Sequence, residues 1–158
     1  LISVNLPIIS ITRDNQFNHC DNLATVSMPE CISIGGHCFE SCYSLTSVYI
    51  PKVQNIGGCA FSSCKSLSVL SFGSEAVFSS SAIIGLQAFA KCYNLISLYM
   101  LGSFTYILSN SNAFTSTPIG GYSASAGQYG SIYVPSSLYD TYISATNWSY
   151  FSDRFVSV

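Results

Sequence analysis

Seven cysteines and two histidines are the side chains here best suited to covalent or metal chemistry. An imidazole beside a cysteine can take the thiol proton and create a nucleophilic thiolate. His37 and Cys59 stand 22 residues apart, a spacing that recurs along the chain, which predicts that they lie on adjacent coils about 5 Å apart. A thiol-dependent site at this pair is one reading. The competing reading is plain filling of a convex surface, since Gln87 continues the column and the sequence offers neither an orienting acid nor an oxyanion hole. His19, next to Cys20, has no such neighbour. An odd cysteine count without any C-x-x-C pair argues against a disulfide framework or a zinc site. No paired carboxylates recur, and Gly35-Gly36 and Gly57-Gly58 fall at repeated turns rather than in a phosphate loop. No catalytic residue, metal or cofactor is therefore expected.

The remaining cysteines are explained by periodicity. Leu1, Leu23, Leu45 and Leu67 recur every 22 residues, and Leu95 follows after a six-residue insertion. Val4, Val26, Val48, Leu70 and Leu98 keep step with them, as do Leu6, Met28, Ile50, Phe72 and Met100. In the other half of each unit Phe17, Phe39, Phe61, Phe89 and Phe114 share one position, with Cys20, Cys42, Cys64, Cys92 and then Thr117 three residues later. Ile34-Gly35, Ile56-Gly57 and Ile84-Gly85 precede the Phe, while Ile11 and Leu108 sit one position early in the outer units. The ladder cysteines, together with Cys31 and Cys38, are expected to be buried free thiols that act as small apolar side chains. Reduction should then leave thermal stability unchanged.

Each unit reads as a short strand, closed by Pro7, Pro29 or Pro51 because proline lacks the N–H that pairing needs. A tight helical or irregular turn follows, with glycine to permit a backbone reversal. One unit cannot bury enough surface to fold alone, so the units must stack. This predicts an α/β repeat solenoid with a parallel sheet on its concave face and short helical or irregular convex segments. The pattern C-x-x-L-x-x-V-x-I-P followed by I-G-x-x-A-F resembles the BspA-like (Treponema pallidum type) leucine-rich repeats of bacterial and some protist surfaces. That resemblance implies adhesion to host, matrix or cell-surface partners.

The repeats are expected to occupy residues 1–135, as about five coils and a last strand, with insertions near 74–81 and 118–130. Residues 136–158 are expected to form a C-terminal helical cap. Ser136 and Ser137 before Asp140 suggest a capped helix start running to about Ala145, with Leu138, Tyr142 and Ala145 on one face. A second short element begins at Thr146-Asn147-Trp148 and ends near Asp153, Trp148 serves as a lid, and Phe155–Val158 forms an edge strand. The Asn147-Trp148-Ser149 sequon is expected to be incidental. No equivalent N-terminal cap is visible and Leu1 opens inside a strand-like segment without a basic start, so an upstream domain or further repeats are expected.

Composition narrows the partners. The chain is 49% hydrophobic, 8% charged and carries 30 serines, with a net charge of −2. Its apolar runs fall far short of the roughly 20 residues of a spanning helix, so no membrane insertion is expected. Arg13, Lys52, Lys65, Lys91 and Arg154 are isolated, whereas nucleic-acid binding needs a clustered basic face. Strand alternation sends Ser3/Asn5, Thr25/Ser27, Ser47/Tyr49, Val69/Ser71, Ser97/Tyr99 and Ser131/Tyr133 to solvent. Tyr and Ser suit recognition through rigid contact area and adaptable hydrogen bonds. Ser47, Tyr49, Val69, Ser71, Ser97, Tyr99, Ser131 and Tyr133 are therefore the candidate binding residues for a protein or glycan partner. The functional expectation is a non-catalytic interaction or adhesion module, on a cell surface or secreted. A structural spacer within a larger surface protein is the alternative.

Overall fold

Apolar side chains at every second strand position leave each strand one inward face, and the recurring period lays those faces one upon another. In the computed structural model, which describes residues 2–76, 82–121 and 127–158, this produces two parallel ribbons. The chain runs through β1 (Ser3–Asn5), β2 (Thr25–Ser27), β3 (Ser33–Ile34), β4 (Ser47–Ile50), β5 (Asn55–Ile56) and β6 (Val69–Phe72). It continues through β7 (Ile83–Ile84), β8 (Ser97–Met100), β9 (Ile107–Leu108), β10 (Ser131–Val134), α1 (Tyr139–Ser144) and β11 (Phe155–Ser157). The larger sheet has the order β1-β2-β4-β6-β8-β10-β11 and the smaller one β3-β5-β7-β9. Val4 pairs with Val26, Val26 with Val48 and Leu70 with Leu98, so equivalent residues of successive coils are in register. Residues 77–81 of the first expected insertion and 122–126 of the second lie outside the described residues, as does Leu1.

Between the two ribbons the core is built from columns. Phe17, Phe39, Phe61, Phe89 and Phe114 stack with centroid separations of 5.3, 5.4, 5.8 and 5.5 Å and interplanar angles of 7–15°. Beside them Cys42, Cys64 and Cys92 are buried and all seven cysteines are free. Each of these three thiols donates to the carbonyl of the preceding coil's phenylalanine: Cys42 to Phe17, Cys64 to Phe39 and Cys92 to Phe61, at 3.0–3.2 Å. Burial pushes the Cys38 thiol up to about 11 and the Cys42 thiol up to about 12. Cys42 therefore stays protonated at neutral pH and keeps its S–H donor to Phe17. Thr117 ends the series differently, donating at 2.8 Å to Phe114 of its own coil and accepting from the Gly120 N–H at 3.0 Å.

Three expectations need correction, while the Ile-Gly segments take one of the two forms expected, irregular rather than helical: their isoleucines lie in the smaller ribbon, and among the described residues the repeats hold one short helix, a 3-10 turn at Ser111–Phe114. The glycines beside them serve coil spacing, not backbone reversal. A Cβ on Gly57 would lie 2.6 Å from the Gly36 nitrogen, and one on Gly35 2.5 Å from the Arg13 carbonyl carbon. Ile11 is not an inward residue one place early; it is 66% exposed, and Thr12, 2% exposed, fills the core position. Finally, no serine caps the C-terminal helix. Ser136–Leu138 is itself a 3-10 turn, and α1 starts after Leu138 without a side-chain capping bond.

The glycine geometry gives a first prediction. Gly57→Ala should cost about 1–3 kcal/mol, because the atoms in the way are backbone and the coils must move apart. Gly58→Ala should cost less, since its Cβ would meet only the Leu86 oxygen, at 3.4 Å. Urea unfolding of the two variants makes the comparison.

After β10 the chain closes the stack. Tyr142 and Trp148 are fully buried, and Trp148 packs against Phe114, Tyr142 and Phe155 with centroids 6.0, 5.5 and 5.8 Å away. Its Nε1 donates to the Tyr106 carbonyl at 2.7 Å. β11 then joins the large sheet parallel to β10.

Candidate functional site

The outward positions of the large sheet form an uncharged surface assembled by the repeat. Pairing places Asn5, Ser27, Tyr49, Ser71, Tyr99, Tyr133 and Val156 in one continuous row. A second row contains Ser3, Thr25 and Ser47, and farther along Val69, Ser97 and Ser131. All eight candidate residues lie on this face: Ser47, Tyr49, Val69 and Ser71 are exposed, and Ser97, Tyr99, Ser131 and Tyr133 half-buried. Neither row holds a charged side chain. Tyr99 and Tyr133 stack at 4.3 Å with planes 9° apart, so each ring covers one face of the other. Tyr49 is 52% exposed and Val69 47%. The nearest charges by strand position stand past the strand ends, where Lys52 bridges Glu30 at 2.7 Å.

The opposite surface does not assemble a thiolate pair. His37 Nδ1 lies 2.8 Å from Glu40 Oε2, and Cys59 Sγ lies 3.8 Å from Gln87 Oε1. The histidine thus has the carboxylate partner that the sequence seemed to lack, but it bonds within its own coil and not to the cysteine. Partial burial, then the Glu40 carboxylate, raise the Cys59 thiol, the reverse of activation. An alkylating reagent should label Cys59 no faster than an ordinary exposed cysteine; faster labelling would restore the thiol reading. What His37, Cys59, Gln87 and Asn15 share is a left-handed backbone, with φ of 55–58°. A second such column contains His19, Ser41, Ser63, Lys91 and Ser116, at φ 56–63°. Left-handed conformations cost an L-residue roughly 1–2 kcal/mol, and periodicity of side-chain type gave no sign of them.

Three further features bear on function. A recess of about 390 Å³ opens between the last coil and the cap, with Asn112, Ser116, Phe114 and Tyr150 in its lining; residues this far apart in sequence gave no motif. The sequon Asn147 donates its amide to the Leu108 carbonyl at 2.8 Å, which engages the nitrogen that a glycan would need. Among the described residues no cluster of His, Cys, Asp or Glu could hold a metal ion, and no helix is long and apolar enough to cross a membrane.

Comparison with solved structures gives the same architecture. The chain superposes on the T. pallidum leucine-rich-repeat protein with a TM-score of 0.60 and 24% identity, over 86% of this chain and 60% of that one. It superposes on a leucine rich cell surface protein of Faecalibacterium prausnitzii A2-165 with a TM-score of 0.58 and 18% identity, over 85% of this chain and 39% of that one. The chain therefore spans less than two thirds of either protein. No curated protein sequence matches it. The profile of the BspA type leucine rich repeat region matches residues 10–125 in six copies, a span carrying the Phe and Cys columns and most of the large sheet, and the chain belongs to that family.

Proposed function

We propose that this chain is a non-catalytic interaction module, of a cell-surface or secreted protein, that engages its partner through the concave sheet. The observation that carries the reading is the row Tyr49, Ser71, Tyr99 and Tyr133, uncharged and solvent-facing on a rigid parallel sheet. Such a surface supplies contact area at low entropic cost. It lacks the charge that would recruit nucleic acid or an anionic membrane. The surface location is supported by the similarity to a protein named a cell surface protein and by the family itself. A protein partner suits this face best, through adhesive contacts with other cells or matrix.

The test is a peptide-display selection on the wild-type chain. Selected binders are then measured against the triple variant Tyr49→Ala, Tyr99→Ala, Tyr133→Ala. Affinity should fall at least tenfold while thermal unfolding changes little. Unchanged affinity would remove the concave sheet as the binding face.

A further inference from the structure

The cap imitates a further coil, and it does so incompletely. Along the smaller ribbon the carbonyls of Ile34, Ile56 and Ile84 accept the N–H of Gly57, Gly85 and Ser109 on the next coil, at 2.8–2.9 Å. Leu108, next in that column, accepts the side-chain amide of Asn147 instead, at 2.8 Å. The Ala82 carbonyl likewise takes the Ile107 N–H, whereas that of Tyr106 takes the Trp148 indole N–H. Trp148 and Phe151 stand against Phe114, where a further phenylalanine of the column would stack.

The rung at Ser116 has no such substitute. His19, Ser41, Ser63 and Lys91 share a left-handed backbone, and each donates its N–H to a carbonyl of the next coil. The acceptors are Glu40, Ser62, Ala90 and Thr115, at 2.8–2.9 Å. Ser116 ends this column with the same backbone, at φ 58°. Its N–H meets no acceptor among the described residues, and it lines the recess of about 390 Å³ between the last coil and the cap. Asn112 and Thr115 add an exposed amide and an exposed hydroxyl to that lining, and Tyr150, 74% exposed, adds a ring. The volume is at the lower end of the roughly 300–1,000 Å³ of small-ligand sites, which suits a few residues of peptide.

We infer that this recess binds a short peptide segment of a partner protein, whose main-chain carbonyl accepts the Ser116 N–H. The occupant follows from the column. At His19, Ser41, Ser63 and Lys91 the group in that place is a main-chain carbonyl, met by the same backbone geometry. Main-chain hydrogen bonding of this kind supplies affinity without reading side chains. The Asn112 amide and Thr115 hydroxyl can bond the flanking peptide groups, and the Tyr150 ring can pack over the segment. The recess shares no residue with the outward rows of the large sheet, so it is a second contact, independent of the concave-face reading.

Backbone amide resonances of the isotopically labelled full chain test this by NMR. In the free chain the Ser116 amide should exchange with deuterium at least tenfold faster than those of Ser41, Ser63 and Lys91. N-acetyl-glycyl-glycine methylamide and N-acetyl-alanyl-alanine methylamide should both shift the Ser116 amide proton downfield, saturably. The Lys91 amide, already bonded to Thr115, should stay in place. Methyl β-glucopyranoside and methyl N-acetyl-β-glucosaminide should move Ser116 at least fivefold less. Thr115→Trp, which fills the recess from an exposed position, should abolish the response, and Tyr150→Ala should weaken binding at least threefold. A protected Ser116 amide in the free chain, no saturable shift with either peptide, or an equal shift of Lys91 overturns the inference. So does an equal response to either sugar, a response that survives Thr115→Trp, or unchanged affinity in Tyr150→Ala. The triple variant of the concave tyrosines should respond as the wild type does, and loss of the response there would place the peptide on the sheet and overturn the recess. If the recess fails while display-selected binders still depend on the three tyrosines, the concave-face reading stands.

Discussion

Phe61→Ala will lower the free energy of unfolding by about 3–5 kcal/mol, the range for removing a large buried aromatic side chain. Phe61 is fully buried and central in its column, with Phe39 at 5.4 Å on one side and Phe89 at 5.8 Å on the other. Alanine leaves a cavity that neither neighbour can fill, because each ring is held by the next one along. The Phe61 carbonyl also accepts the Cys92 thiol, so any backbone shift that narrowed the cavity would strain that bond. In a chain of this size a loss of about 3–5 kcal/mol corresponds to roughly 6–20 °C in melting temperature. Guanidinium unfolding measures it. A cost below about 1 kcal/mol would mean that the phenylalanines do not face the core.

Trp148→Ala should cost a similar amount, about 3–5 kcal/mol, with a different distribution along the chain. Trp148 is 1% exposed and covers the last ring of the column, Phe114. Its indole N–H is a hydrogen-bond donor to the Tyr106 carbonyl, while the Tyr106 N–H is bonded to the Tyr142 hydroxyl at 3.0 Å. The Tyr106 hydroxyl in turn reaches the Val53 carbonyl at 2.6 Å. One buried network thus ties the terminal helices to the third coil. Repeat arrays are stabilised by nearest-neighbour contacts and open from their ends. Hydrogen exchange in the variant should therefore rise first in β10, α1 and β11, with the amides of β4 and β6 still protected. Uniform loss of protection would contradict a lid at one end. Trp148→Phe, which keeps an aromatic ring but loses the donor, should recover part of the stability.

Side chains that recur once per coil were legible in the sequence, because stacking turns a period into a column. The phenylalanines, ladder cysteines and inward strand residues all follow from that rule. So do the outward rows: the Tyr99–Tyr133 stack spans a long sequence gap, yet both residues occupy the same strand position. Features that depend on distances between backbones were not legible. The smaller ribbon rests on two-residue strands, too short for alternation to mark. The glycine requirement comes from the approach of the preceding coil, which composition does not encode. Thr12 replaces Ile11 inside because register with Ser33, not hydrophobicity, decides which residue turns inward. Tyr106 was missed because its counterparts on the preceding coils, Ala82 and Gln54, are of unlike type, so no column of similar side chains marked the position. His37 and Cys59 show the opposite error: sharing a column guaranteed neighbouring coils, but Glu40 of its own coil took the imidazole and Gln87 on the next coil took the thiol.

Coil-upon-coil stacking underlies every assignment, and nuclear Overhauser contacts between phenylalanine rings measure it directly. In phenylalanine-labelled protein the stack predicts an unbroken sequence of contacts from Phe17 to Phe39, Phe61, Phe89 and Phe114, with none between Phe17 and Phe61. A missing contact between Phe61 and Phe89, where the repeat lengthens to 28 residues, would break the column and contradict the architecture on which the binding face depends.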